Sequence, residues 1–125
     1  MKTISQLDKL LWKHFSKYIK ERDDNICFTC DKEVSGRSSH AGHFISRRYK
    51  KLKYDDRNVH CQCYRCNMYM SGNYPVYRAR MIERYGEDLV KEFEAIAVKG
   101  EPHRLTKDWY EDKIKHYRKL NKEEK

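Results

Sequence analysis

The sequence predicts a small α+β fold in which a metal-stapled core carries flanking helices. Three observations predict it. Apolar residues recur at helical spacing near both ends, the stretch from 26 to 66 loses that period while holding all five cysteines, and four of those cysteines form two C-x2-C pairs. At 125 residues the chain suits one domain, read here as an N-terminal helix over 1–25, a core over 26–73 and helices over 74–125. Only 38% of it is hydrophobic and another 38% is charged, so the apolar core must be thin. Ten Tyr, four Phe and two Trp nevertheless argue against disorder.

Leu7, Leu10, Leu11, Phe15, Tyr18 and Ile19 form one stripe, which predicts a helix over 5–22. Asp23-Asp24-Asn25 then reads as a turn. Short strands are expected over 38–45 and 58–63, joined by the basic connection RRYKKLKYDD. Tyr74-Pro75 opens a helix ending at Gly86, because proline suits the first turn. Leu89, Val90, Phe93, Ile96 and Ala97 mark another, closed by Gly100. Thr106 is the expected N-cap of a last helix, with Asp108 and Glu111 near its positive end and Tyr110, Ile114, Tyr117 and Leu120 in its stripe.

Cys27-x2-Cys30 and Cys63-x2-Cys66 are separated by 32 residues. A C-x2-C turn presents two thiolates to one metal, and four thiolates suit tetrahedral Zn2+. Such a closed site is structural and can contribute on the order of 10 kcal/mol to folding, which compensates for a thin core. In a strand over 58–63, Val59 and Cys61 share one face while Asn58, His60 and Gln62 share the other. Cys61 thus reads as a small core residue, with an exchange between Cys61 and Cys63 as the alternative ligand choice. The N-terminus is too polar for a signal peptide and no stretch approaches the length of a membrane span. A cytoplasmic location, without membrane association, is therefore expected. In that reducing setting clustered cysteines bind metal more often than they form disulfides.

A second set of polar residues lies inside the same frame: His40, His43, Asn58, His60 and Asn67. Phosphodiester hydrolysis needs a base to activate water and a cation to offset charge on the phosphate and leaving oxygen. Neutral imidazole suits the first role near pH 7. The runs Ser39-His40-Ala41-Gly42-His43-Phe44-Ile45, Arg57-Asn58-Val59-His60 and Cys63-x2-Cys66-Asn67 resemble the HNH or His-Me finger (ββα-metal) pattern. The cysteine pairs around them resemble those of phage endonuclease VII, with a treble-clef-like arrangement. The resemblance implies His43 as general base, Asn58 as its orienter, and Asn67 as ligand of a catalytic Mg2+ or Mn2+. Asn67 also suits the cap of the following helix.

A denser match lies in A-G-H-F, K-Y-D-D-R-N-V-H-C-Q-C-Y-R-C-N, S-G-N-Y-P-V-Y-R and M-I-E-R-Y-G. These runs, from Arg22 to about Gly86, resemble the lambdoid phage NinG (Rap) recombination proteins. That family implies an endonuclease acting on branched DNA such as D-loops and Holliday junctions, located in the host cytoplasm. Two departures stand out. Gly42 occupies the place where many HNH sequences carry an acidic ligand, so His40 is the substitute, and a bulge at Gly42 would be needed to bring His40 and His43 to one face. His60 matches the NinG pattern and is placed with the catalytic set, its role divided among metal ligand, phosphate contact and support for the ligands.

A net charge of +9 and a pI near 9.3 are the footprint of a nucleic-acid binder. Arg47, Arg48, Lys50, Lys51 and Lys53 form the densest positive run, beside His43 in sequence, and read as a phosphate clamp. Arg57, Arg65 and Arg78 extend it, and Tyr64 and Tyr77 divide between interface and core. The tail KHYRKLNKEEK mixes both charge signs and reads as a solvated helix end or as one face of a homodimer. The alternative to a nuclease is a non-catalytic, zinc-containing DNA-binding accessory protein that engages phage or host recombination proteins. A zinc adaptor between proteins fits the +9 charge poorly.

Overall fold

A computed structural model describes residues 1–122; the end of the KHYRKLNKEEK tail, 123–125, lies outside the described residues. The elements are α1 (Ile4–Arg22), β1 (Ser39–His43), a short α2 (Lys50–Lys53), β2 (Val59–Cys63), a π-helical turn (Arg65–Tyr69), α3 (Tyr74–Tyr85), α4 (Glu87–Lys99) and α5 (Lys107–Leu120). The helix ends follow local chemistry. Thr3 and Gln6 close a reciprocal capping box on α1, and the Thr106 hydroxyl accepts from Trp109 N at the start of α5. Gly86 and Gly100 end α3 and α4 at φ +94° and +61°, a region open to glycine at little cost.

β1 and β2 form an antiparallel pair with Ser39 opposite Cys63 and His43 opposite Val59, in unbroken register. The bulge expected at Gly42 is absent. Both strands are also shorter than 38–45 and 58–63, because Asn58 captures the chain that leaves β1: its Oδ1 accepts from Ile45 N at 2.8 Å.

Helices cover both faces of this two-stranded sheet. On one face Leu7, Leu11, Phe15 and Ile19 of α1 pack with Val59, Tyr54 and the Tyr110, Ile114 and Tyr117 stripe of α5. On the other, Phe44, Ile45 and Leu52 pack with Tyr77 and Met81 of α3 and Val90 and Phe93 of α4. Every residue of β2 is consequently buried, including the polar His60 and Gln62. Asp8 ties α1 to the strand connection and to α5, accepting from Lys53 Nζ (2.7 Å), Tyr54 OH (2.8 Å) and Tyr110 OH (3.1 Å). Burial opposes ionisation of its carboxyl, but these donors and the Lys53 charge hold it below the usual range. Among the described residues no helix is long and apolar enough to cross a membrane.

Candidate functional site

The sulfurs of Cys27, Cys30, Cys63 and Cys66 lie within 4.8 Å of one another. The first pair sits in the turn after α1, and the second joins the end of β2 to the π-turn. Cys61 lies outside the group, with its sulfur 3.6 Å from Ser39 Oγ, so Cys63 is the fourth member. Polar groups support the cluster: Cys66 N donates to Cys63 Sγ at 3.3 Å, and Thr29 Oγ1 stands 3.3 Å from Cys27 Sγ. Burial raises the Cys27 thiol, yet the Thr29 hydroxyl and nearby amides draw it down to about 7, whereas burial and the neighbouring sulfurs push Cys30 up to about 12. Four crowded thiols cannot all ionise alone; a divalent cation removes that conflict. The donor set and its spacing fit structural Zn2+.

His43 closes β1. Its Nε2–H donates to the Lys53 carbonyl at 3.0 Å, and its ring stacks on Trp12 with centroids 5.2 Å apart. That bond fixes the tautomer and leaves Nδ1 as a lone-pair acceptor. Burial, with the Lys53 and Arg47 charges adding to it, lowers the imidazole to about 4. His43 is therefore neutral at pH 7.

On the opposite face of β1, His40 Nδ1 accepts from Asn67 Nδ2 at 2.9 Å, while its Nε2–H donates to Arg37 O at 3.0 Å. A regular strand thus sends His40 and His43 to opposite faces, yet both line one hollow of about 480 Å3 beside the edge of β1 that no other strand pairs. Asn67 and Arg47 also line it. The far wall belongs to α1 through Trp12, Ser16 and Lys20, residues that reading the core alone missed. Trp12 stands beside the buried Leu11 but off the main stripe, and a large aromatic in that position was the available signal.

Three groups of expected site residues are placed differently from the expectation. Among the described residues the Asn58 side chain makes no hydrogen bond to His43: it is fully buried, and its Nδ2 donates to the carbonyls of Ile45 and Leu52 at 3.0 Å each. It acts through the connection, holding the backbone that delivers the Lys53 carbonyl. His60 is fully buried away from the hollow, stacked on Phe28 at 4.0 Å. Since Tyr77 OH donates to Gly42 O at 2.7 Å, His60 Nδ1–H donates to the Tyr77 oxygen and Nε2 accepts from Tyr85 OH at 2.7 Å. Burial lowers its imidazole to about 3, so His60 is a neutral, buried residue that does not line the hollow. The cationic set also divides. Lys53 is paired to Asp8, Arg57 to Asp55 and Arg78 to Glu94, whereas Arg47, Arg48, Lys50, Lys51 and Arg65 are exposed and make no ion pair among the described residues.

Gly42 now has a physical reason. A Cβ there would lie 1.9 Å from Gln62 Oε1 and 3.0 Å from Asn67 Oδ1. Gln62 is buried and held by Thr29 Oγ1 and Gly72 O, so no acidic side chain fits at 42 without breaking those bonds. Gly42→Ala is expected to lower unfolding stability by about 1–3 kcal/mol, with partial recovery in the Gly42→Ala/Gln62→Ala pair. Denaturant unfolding of the four-protein cycle measures the coupling, and additive effects would show that Gln62 does not fill the space.

A family model described as Bacteriophage Lambda NinG protein matches residues 1–125. A "Protein ninG" of Escherichia phage 933W is 34% identical over 112 residues, covering 85% of this chain and 55% of that protein. Its namesakes in Salmonella phage P22 and Escherichia phage lambda are 39% and 36% identical over 80 residues, 62% of this chain and 39% of each relative. The chain thus spans about half the length, or less, of these curated relatives. No solved structure matches. With the family model matched from end to end and the cysteine framework in place, this chain belongs to the bacteriophage Lambda NinG protein family.

Proposed function

We propose that the protein is an HNH-like, metal-dependent DNA endonuclease of phage recombination, selective for branched DNA and working in the host cytoplasm. The observation that carries this reading is the state of His43: neutral, held by one nitrogen on the Lys53 carbonyl and bare at the other, beside a hollow walled by cations. Such a group can take a proton from water near a scissile phosphate. Arg47 and Lys20 bring positive charge to the same hollow, and Asn58 keeps the supporting backbone in place. His40 Nδ1 and the Asn67 amide oxygen are the groups that would hold a Mg2+ or Mn2+, which supplies charge neutralisation at the phosphate and leaving oxygen. The decisive test is single-turnover incubation of purified wild type with a labelled four-way junction and matched linear duplex across Mn2+ concentration. Cutting of the junction before the duplex is expected, and absence of cutting under all conditions would leave the alternative.

That alternative, a non-catalytic zinc-containing DNA-binding accessory protein with phage or host recombination partners, has its own support. Position 42 has no carboxylate and no room for one, and His40 and Asn67 satisfy each other. Under either reading DNA binding runs through the unpaired cations. Changing Arg47, Arg48, Lys50 and Lys51 together to Ala should weaken binding to every DNA shape and reduce the slope of log affinity against log salt by up to about 3–4. Lys53→Ala and Arg78→Ala should leave that slope unchanged and act on stability instead. A slope that persists in the quadruple variant would place the DNA elsewhere.

A further inference from the structure

The π-turn carries an unusual amount of exposed apolar surface. Tyr64 is 51% exposed, Met68 57%, Tyr69 83% and Met70 46%, while Tyr54, Tyr77, Tyr110 and Tyr117 are all buried. The segment is nonetheless well anchored. Cys63 and Cys66 of the metal cluster flank its start, Met70 N bonds Arg65 O at 2.9 Å, and Gly72 N bonds Cys66 O at 2.8 Å. Rings on so constrained a backbone lose little freedom when something packs on them.

The patch is continuous with the hollow. Met68 lines that hollow, Asn67 bonds His40, and the Tyr64 ring meets the His40 ring edge-on at 5.6 Å. Its surroundings are free of negative charge in sequence: no Asp or Glu occurs from Arg57 to Ile82, and exposed Arg65 sits between Tyr64 and Met68. The occupant must therefore present a flat apolar face close to negative charge. A nucleobase on its phosphate chain meets both demands. In a duplex those faces are hidden in the stack, so the base must be unpaired.

We infer that Tyr64 and Tyr69, with Met68 at the rim, form a stacking platform for nucleobases that have left the duplex, next to the phosphate presented to His43. The inference rests on the hollow being a DNA-handling site, and it supplies discrimination that phosphate-binding cations cannot, since they contact paired and unpaired DNA alike. Stacking on an exposed aromatic contributes on the order of ten-fold in affinity per base.

The test is fluorescence anisotropy of the zinc-loaded full chain, without Mg2+ or Mn2+, on a short oligothymidylate strand and on a blunt duplex. Tyr64→Ala/Tyr69→Ala is expected to weaken single-strand binding by about 30-fold or more and duplex binding by under about three-fold. Phe at both positions should restore wild-type binding, and the salt slope should stay constant because no cation is lost. A 2-aminopurine in the strand should change its emission with wild type and not with the Ala pair. Equal weakening on both DNAs, or on neither, overturns the inference. So does a wild-type dimer in sedimentation that the Ala pair converts to monomer, since a second copy would then cover the patch. The two readings fail separately. Tyrosine-dependent strand binding without any cutting keeps the platform and removes the nuclease, whereas cutting by a protein whose Ala pair binds normally does the reverse.

Discussion

His43→Ala is expected to reduce single-turnover cleavage by about 10²–10⁴-fold, the usual contribution of a positioned base, while DNA affinity and zinc content stay near wild type. Both controls follow from geometry. His43 contacts Trp12 and the Lys53 carbonyl and lies outside the cysteine group. The pH profile gives a second readout. Burial places the His43 imidazole at about 4 rather than 6.5, so it remains unprotonated well below neutrality. Loss of cleavage through this base should appear near pH 4–5 and not near 6.5. The same shift links to stability: the unfolded chain takes up protons between 6.5 and 4 that the folded His43 refuses. That contribution is full above pH 6.5 and is lost as pH falls toward 4, and His60, lowered to about 3, extends the loss further down. Equal cleavage by wild type and His43→Ala would remove His43 from the chemistry even if the nuclease survived.

Removal of zinc should unfold the molecule. Metal binding in small Cys-rich modules is worth roughly 10–16 kcal/mol, as large as the whole stability of an ordinary domain, about 5–15 kcal/mol. Here the four thiols join the turn after α1 to the end of β2, and they form a core cluster of their own that includes Cys27, Cys63 and Cys66. Cys66→Ser, or strong chelation, is expected to abolish the cooperative melting transition followed by circular dichroism. Metal analysis of the purified wild type should give one zinc per chain. A metal-free preparation melting as wild type does would show that the two helical clusters hold the sheet unaided.

How much of this was legible in the chain depends on the range of the interaction. The capped helices were readable because a stripe at helical spacing, a Thr at the N-cap and a Gly at the C-terminus are signals within a few residues of where they act. The chelating pairs were readable for the same reason: two Cys at x2 spacing leave few ways to face one ion. The preference for Cys63 over Cys61 rested on the same x2 spacing, since alternation puts both on one face of β2, and the structure sets the Cys61 sulfur against Ser39 Oγ, outside the group of four.

The site was only partly legible. Alternation along β2 marked Asn58, His60 and Gln62 as one polar face, and the family resemblance put Asn58 and His60 at a catalytic surface. A two-stranded sheet covered by helices on both sides has no such surface, and those three side chains satisfy buried partners instead. Gln62 in turn decides that position 42 is glycine. The charges behave likewise. Arg47 and Lys53 look alike in sequence, but Asp8 of α1 reaches Lys53 across 45 positions, and Glu94 of α4 takes Arg78 across 16.

The sequence by itself therefore determined the long helices with their caps, the metal framework and the family, because each rests on residues that act on near neighbours or in a fixed motif. Only the tertiary structure decided which histidine is available, which cations are unpaired and what builds the far wall of the hollow. Those depend on helices brought together by burial of apolar surface, and packing between distant segments leaves no local periodicity to read.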